Sequence, residues 1–563
     1  MSSPDLGDDI SSRFDLDQVP YTARFSRLFV RRGDHGLDVY RAAYERSLAD
    51  SLTVVGLRLL DSKGSVVDVE SVGPAGIVFR GGARLIVDDQ DTVYVGDLPA
   101  GWTVLASLPL PDVSNRASAG QWPKQLLLLP DDARTTPTGV LLPTGGSVGI
   151  GATAAPCRTF REASAAVDGE LASWLAACPI VADRWREITR FCWWVLGVNT
   201  LRLDAPPGLA RAVVPSKIGY VGLWQWDAYF MAIGLRHGDP ELAAEQLRIA
   251  FAYPSASGQL PDVVHEGGVL ASSDDLPPGD IENLRKLASP SLANQRVPLT
   301  KPPLAPLALA LLAEVAGEEI IDESLETVLA AQRWWYRDSA PWGEPAYLHP
   351  YSSGLDDSPI FDDDAILVSP DLSAYLISSD RLLAGWLRAR GRDGEAGACQ
   401  VRADQATARL LEKWDRQRGF FYAVGEHGRV ITETVVSLMP LLVEGLPAEQ
   451  VDAMVAAVAD PERFATPVPV PTVAYRDPKF SPTRMWRGPV WVNTAWLVAR
   501  GLRVQGRGDL ADAVETALLD LVSQHGPNEY FRPDTGVKPP RATTVFGWSA
   551  ALTVDLAVRH SAR

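Results

Sequence analysis

Between about Phe25 and Leu142, apolar and polar positions alternate over short runs: SLTVVGLRLL, ARLIVDD, DTVYVGD and WTVLASLPL. A period of two puts successive side chains on opposite faces of a half-buried strand. The turn formers Asp61-Ser62-Lys63-Gly64 and Pro99-Ala100-Gly101 separate the runs. This predicts an antiparallel β-sandwich over 25–142, preceded by a polar leader, 1–24. The span 143–159, with Gly145, Gly146, Gly149, Gly151 and Pro156, predicts a linker.

From about Phe160 the period becomes helical and stays so nearly to the end. Leu372, Tyr375, Leu376, Leu382, Leu383, Trp386 and Leu387 recur at three- and four-residue steps, the mark of a helix with one buried stripe. Its start is signalled by Ser369 as cap, Pro370 at the first helical position and Asp371 at the positive end of the dipole. Asp239-Pro240-Glu241 writes the same signal ahead of LAAEQLRIAFAY. Roughly a dozen such runs follow one another, with Pro- and Trp-rich loops between them. They suffice for about six helical hairpins closed into a double ring whose mouth the loops line. An open solenoid would show a repeat of about 30 to 50 residues, and none is visible. The expected fold is mainly α, a ring of helices over 160–563 behind the β-sandwich.

Composition narrows the chemistry. The 563 residues are 46% hydrophobic and 22% charged, an ordinary globular balance. Against 70 Asp and Glu stand 53 Lys and Arg, a net charge of −17, with no basic run. Phosphate neutralisation on nucleic acid and a basic membrane anchor are therefore disfavoured. The acidic opening MSSPDLGDDISSRFDLD has no apolar core of a signal peptide, so the expected location is the cytoplasm. Cys157, Cys178, Cys192 and Cys399 lack metal or disulfide spacing and read as buried thiols. The seven His show neither H-E-x-x-H nor H-x-H, so no metal or other cofactor is expected, and no nucleophile elbow or phosphate loop is present. Oligomeric state is not encoded legibly.

Four aromatic clusters combine with polar neighbours: Trp224-Gln225-Trp226-Asp227, Trp334-Trp335-Tyr336-Arg337, the run from Trp486 and Arg487 to Trp491 and Asn493, and Phe546-Gly547-Trp548-Ser549. A pyranose has apolar C–H faces and a hydroxyl rim, so its site requires flat aromatic walls edged by carboxylate, amide and guanidinium groups. Cleaving a glycosidic bond further requires one protonated carboxyl and one ionised carboxylate. Two loops offer acids: Ser353-Gly354-Leu355-Asp356-Asp357-Ser358-Pro359 and Asn528-Glu529-Tyr530-Phe531.

WQWDAYFMAIGLRHGDPELAAEQL (224–247), SGQLPD (257–262), KPPLAPLAL (301–309), HPYSSGLDDSPIFD (349–362), MWRGPVWVN (485–493), and NEYFRPDTG with VFGWSAAL (528–552) follow one another in an order that resembles glycoside hydrolase family 63. The similarity is to its mannosylglycerate and glucosylglycerate hydrolase-like branch, with more distant kinship to family 37 trehalases. It covers residues 180 to 560. The resemblance implies an (α/α)6 barrel that hydrolyses an α-linked sugar with inversion. It makes Asp356 the proton donor, with Asp357 standing where the family usually has Asn, and Glu529 the base that activates water. It also implies sugar contacts from Asp227, with Trp226, Trp486, Trp491 and Trp548 as walls and Gly354 approaching by its backbone. Trp224, Gln259, Lys301 and Tyr351 border the substrate, while Arg487 and Asn493 either touch it or hold loops. Tyr351, Ser352 and Lys301 replace Trp, Glu and Gln of the glycerate branch, so that branch's leaving group is not carried over. Lys301 would favour an acidic group or else be a surface lysine.

The expected substrate is a small α-glucoside. The alternatives are an α-mannoside or a non-catalytic sugar-binding module. An Asp-rich metal-dependent cyclase, from Asp362-Asp363-Asp364, is weaker than reading that run as a solvated loop. An epimerase on the same ring would call for paired histidines.

Overall fold

The computed structural model describes residues 6–107, 134–136, 139–142, 148–151, 158–203, 211–293 and 296–562. Its chain divides into two compact units, Met1–Arg202 with Ser216–Val221, and Leu203–Pro215 with Gly222–Arg563.

The first unit contains two antiparallel sheets. One orders the strands Tyr21–Thr22, Leu28–Gly33, Gly36–Arg41, Leu52–Leu60, Thr103–Ser107, Gly139–Leu142 and Arg134–Thr136, with Val66–Val67 also paired to Leu52–Leu60. The other orders Val148–Gly151, Thr92–Gly96, Arg84–Val87, Gly76–Phe79 and Val69–Gly73. Inward residues of both, among them Val30, Val39, Leu57, Ile77, Leu85, Val95 and Val104, form one apolar core, as period-two alternation requires. The predicted turns are present: Asp61 N–H donates to Ser65 O at 2.8 Å, and Trp102 N–H to Pro99 O at 3.1 Å.

Three details differ from the sequence reading. The leader is structured in part, with a 3₁₀ turn at Asp8–Arg13 that buries Ile10. The expected linker contains the strand Val148–Gly151, paired to Thr92–Gly96. Helices α1 (Phe160–Ala176) and α2 (Asp183–Val198) group with the sheets rather than with the remaining helices. Thr159 and Glu162 close a capping box at the head of α1. Trp174 and Trp193 bind α1 to α2 by stacking at 4.6 Å, each indole N–H donating to the other's backbone carbonyl. Of the thiols, Cys192 and Cys399 are buried, Cys178 is partly exposed, and Cys157 lies outside the described residues.

The second unit carries α3 (Gln225–Leu235), α4 (Pro240–Ala250), α5 (Pro278–Lys286), α6 (Ala305–Ala316), α7 (Glu319–Arg337), α8 (Pro370–Ala389), α9 (Asp393–Glu412), α10 (Ala448–Val458), α11 (Val492–Val504), α12 (Gly508–His525) and α13 (Gly547–Ser561). Asp239 caps α4 by accepting from Leu242 N–H at 2.9 Å. Ser369 occupies the cap position of α8, but its hydroxyl donates to Asp371 instead of the side chain accepting a backbone N–H.

Packing within this unit closes on itself. α3 packs on α6, α6 on α8, α8 on the 3₁₀ segment Val435–Leu442, that segment on α11, α11 on α13, and α13 back on α3. The approach of α13 to α3 is close: a Cβ on Gly234 would lie 2.3 Å from Ala551 O. α4, α7, α9, α10 and α12 pair with successive members of this cycle. The motifs around Trp226, Lys301, Asp356, Trp486 and Trp548 stand at or ahead of the N-terminal ends of cycle members, whereas Trp334–Arg337 closes the C-terminal end of α7 and 257–262 lies between α4 and α5.

Candidate active site

Asp356 and Asp357 follow a 3₁₀ turn, Pro350–Ser353, that Gly354 ends at φ 69°. A side chain at Gly354 is doubly excluded: the left-handed backbone disfavours it, and a Cβ would lie 2.3 Å from the Trp226 ring. The glycine thus seats this loop on the first indole of α3, where the sequence had suggested a sugar contact. The two adjacent acids then diverge. Asp357 is buried and accepts from Trp486 N–H at 2.8 Å and from Arg484 Nε at 3.2 Å. Asp356 keeps a partly accessible surface, yet its Oδ1 is buried without a hydrogen-bond partner. Burial raises its pKa to about 7, against a lowering by Lys301, while the charges of Asp262, Asp280 and Asp357 raise it further.

Glu529 is held differently. Its backbone N–H donates to Thr543 O at 2.9 Å, and its Oε2 accepts from Thr543 N–H at 2.8 Å. Neighbouring Phe531 exchanges backbone hydrogen bonds with Val490, at 2.8 and 2.9 Å, and Ser549 of α13 donates to Asn528 O at 2.6 Å. This extended segment is therefore fixed between the Trp486–Asn493 motif and the head of α13.

An aromatic wall links the acid-bearing segments. Trp486 stacks on Trp491 at 3.6 Å, and Trp491 on Tyr530 at 4.7 Å. Trp548 meets Trp226 edge-on at 5.4 Å, and Trp226 lies 6.0 Å from Trp486. The Tyr530 hydroxyl holds its proton above the ordinary range, first through burial and then through the negative charges of Glu529 and Asp357. Both acid loops therefore face one tyrosine. Trp486 Nε1, Trp548 Nε1 and both amide atoms of Asn493 are buried without a hydrogen-bond partner. Such groups cost about 1–3 kcal/mol each when empty, which a hydroxylated ligand can offset.

Next to the Asp356 loop lies a charged cluster. Asp227, in the first turn of α3, is buried and its pKa is raised well above the carboxylate range by burial, with Lys301 opposing. Lys301 is buried, 2.9 Å from Asp262, so it is not a surface lysine. The sequence reading had not singled out Asp262 or Asp280. The first sits in the quoted SGQLPD, the second in the acidic first turn of α5, signals that could have marked them.

The remaining expected residues hold structure. Gln259 donates both amide hydrogens, to Ala271 O at 2.9 Å and Leu299 O at 2.8 Å. Tyr351 donates to Asp280 at 3.3 Å. Arg487 forms a two-point pair with Asp362, which also meets Lys479 at 3.0 Å. Trp224 precedes α3 and pairs in a short ladder with Val263. Among the described residues, Asp512, Glu515 and His560 have potential metal-ligand atoms within 4.8 Å of one another. Arg503 and Arg559 already engage Glu515, which makes this an ion-pair network at α12 and α13.

A carboxyl whose pKa burial raises to about 7, a second carboxyl held by a backbone N–H, and indole walls with unpartnered polar atoms are the groups that cleavage of a glycosidic bond calls for. Comparison makes the class specific. The chain belongs to the mannosylglycerate hydrolase MGH1-like glycoside hydrolase family, whose domain matches residues 220–549. It is 27% identical over 408 residues to a mannosylglycerate hydrolase of Thermus thermophilus, covering 61% of this chain and 95% of the relative. It is 25% identical over 430 residues to a glucosylglycerate hydrolase of Mycolicibacterium hassiacum, covering 62% and 94%. The fold matches the crystal structure of a GH63 mannosylglycerate hydrolase from Thermus thermophilus at a TM-score of 0.55 and 23% identity, over 65% of this chain and 98% of that one. No helix among the described residues is long and apolar enough to cross a membrane.

Proposed function

We propose that this enzyme hydrolyses a small α-linked hexoside, glucosyl or mannosyl, of the glycosyl-glycerate kind, with inversion at the anomeric carbon. The closed cycle of six packed elements supports an (α/α)6 barrel, with the motif ends of its members forming the catalytic mouth. Asp356 protonates the departing glycosidic oxygen, and Glu529 removes a proton from the water that attacks the opposite face of the ring. The carrying observation is the contrast at the donor loop, where Asp357 is committed to Trp486 and Arg484 while Asp356 retains an unpaired buried oxygen and a pKa near 7.

Trp226, Trp486, Trp491 and Trp548 supply the sugar walls, Asp227 binds hydroxyls in the innermost subsite, and Asn493 meets the rim. Arg487, Gln259 and Tyr351 shape the pocket through the contacts described. Lys301 has its ammonium engaged by Asp262 and the Tyr351 carbonyl, which leaves recognition of an acidic leaving group to other residues. Mannosyl- and glucosyl-glycerate relatives motivate both sugars. The test is a screen of α-linked disaccharides, mannosylglycerate and glucosylglycerate, with free hexose as readout. Release from a glycosyl-glycerate supports the reading, and no release from any α-linked substrate overturns it.

A further inference from the structure

The Thr300-Lys301 pair joins three motif segments. Lys301 N–H donates to Gln225 Oε1 at 2.9 Å, and the Thr300 hydroxyl donates to the same oxygen at 3.2 Å, fixing the head of α3. Thr300 N–H donates to Ser352 Oγ at 3.3 Å, and Lys301 Nζ donates to Tyr351 O at 2.6 Å, fixing the turn that leads into Asp356. The same Nζ lies 2.9 Å from Asp262, at the end of the 257–262 motif.

The charges facing Asp356 are Lys301, Asp262, Asp280 and Asp357, and Asp227 faces the same group. Arg484 lies against Asp357, and Tyr351 donates to Asp280. Among the described residues Asp356 Oδ1 has no hydrogen-bond partner, and beyond the effect of burial the two strongest charges on its proton are Lys301 and Asp262, acting in opposite directions.

We propose that Lys301 is a positioning residue of the reaction: it clamps the donor loop to the Asp262 loop and supplies the positive charge against which Asp356 takes up and releases its proton. The inference rests on Asp356 being the donor. Its direction follows from Coulomb's law in a poorly solvated site. Without the ammonium, Asp262 either stays charged and repels the Asp356 carboxylate or takes a proton itself. In the first case Asp356 holds its proton to higher pH; in the second the loss of the Asp262 charge offsets part of that rise, and the direction stays upward because Lys301 acts on Asp356 more strongly than Asp262 does. Without the Asp262 charge, the ammonium is uncompensated and Asp356 loses its proton at lower pH.

The test compares the full chain with Lys301→Gln, Lys301→Arg and Asp262→Asn. Ionisation of Asp356 is read from its carboxyl infrared band, assigned by difference against Asp356→Asn. It is also read from the alkaline limb of kcat/KM on mannosylglycerate or glucosylglycerate. Lys301→Gln should move both upward by about one pH unit, a tenfold change in proton affinity. Asp262→Asn should move both downward, and Lys301→Arg should leave them near the parent. Unmoved values in Lys301→Gln, or shifts of the same sign in Lys301→Gln and Asp262→Asn, overturn the proposal. If Lys301→Gln fails to fold, an unmoved Asp262→Asn overturns it equally. The infrared reading needs no turnover: opposed shifts in a protein that cleaves no glycoside would sink the proposed function and leave standing only the coupling of Lys301 and Asp262 to the Asp356 proton.

Discussion

Asp357 accepts the Trp486 backbone N–H at 2.8 Å, tying the donor loop to the aromatic wall. Its neighbour Asp356 leaves Oδ1 unpaired in a buried position. In the proposed mechanism one acid builds the site and the other acts in it. Asp356→Asn should therefore remain folded and lose turnover at least about a hundredfold, the scale of acid assistance. Asp357→Asn keeps an oxygen for the Trp486 N–H and loses only the charged contact to the half-exposed Arg484, so it should change stability by no more than about 1 kcal/mol while keeping more turnover than Asp356→Asn. Denaturant melts and initial rates on both variants check the pair.

The same division separates Asn493 from Arg487. Asn493 has no partner to lose in the empty protein, so Asn493→Leu should match or exceed the parent in thermal stability, because an unsatisfied buried amide is removed. It should also raise KM. Arg487→Ala breaks the pair with Asp362 and should lower the melting temperature. Calorimetry alongside saturation kinetics distinguishes a ligand contact from a loop tie.

Asp356 also sets a pH dependence. Its folded pKa, about 7, lies above the ordinary 3.8. The donor must carry its proton, so kcat/KM should fall about tenfold per unit as pH rises beyond that value. Linkage gives a matching sign for stability. A raised folded pKa contributes stability in full below 3.8, and this contribution is lost as pH rises through about 7. Asp356→Asn should flatten that loss and melt higher than the parent at pH 8, despite being less active. Melting curves from pH 5 to 8 on both proteins provide the check.

Gly354 is the steric hinge between the donor loop and Trp226. Gly354→Ala introduces left-handed strain of about 1–2 kcal/mol and drives a methyl into the Trp226 ring, 2.3 Å away. A loss of both stability and turnover is expected, with the intrinsic tryptophan fluorescence of the variant changed. Fluorescence and rates measured together test it.

Much of this was legible in the sequence because the signals are local. The Asp239-Pro240 start of α4, the turns at Asp61 and Pro99, and the switch from period two to helical period all depend on near neighbours. The assignment of α1 and α2 to the sheet unit was not legible, since their amphipathic stripes do not name the surface they cover. The strand at Val148–Gly151 was hidden because glycines that suggest a linker also tolerate extended pairing. At the site, motif order brought Asp356 and Glu529 forward. The Lys301–Asp262 pair spans segments about forty residues apart, and only folding shows that the lysine is buried. Gln259 and Arg487 were expected at or near the substrate, but their partners Ala271, Leu299 and Asp362 become visible only in three dimensions.

The central claim is that Asp356 and Glu529 act as acid and base on opposite sides of one α-glycosidic bond. Proton NMR of the first product released from mannosylglycerate or glucosylglycerate tests it most directly, recorded before mutarotation equilibrates the sugar. The account predicts that the β-hexose signal grows first and that Glu529→Gln abolishes it. An initial α-hexose signal, or an unchanged β signal in Glu529→Gln, would contradict it.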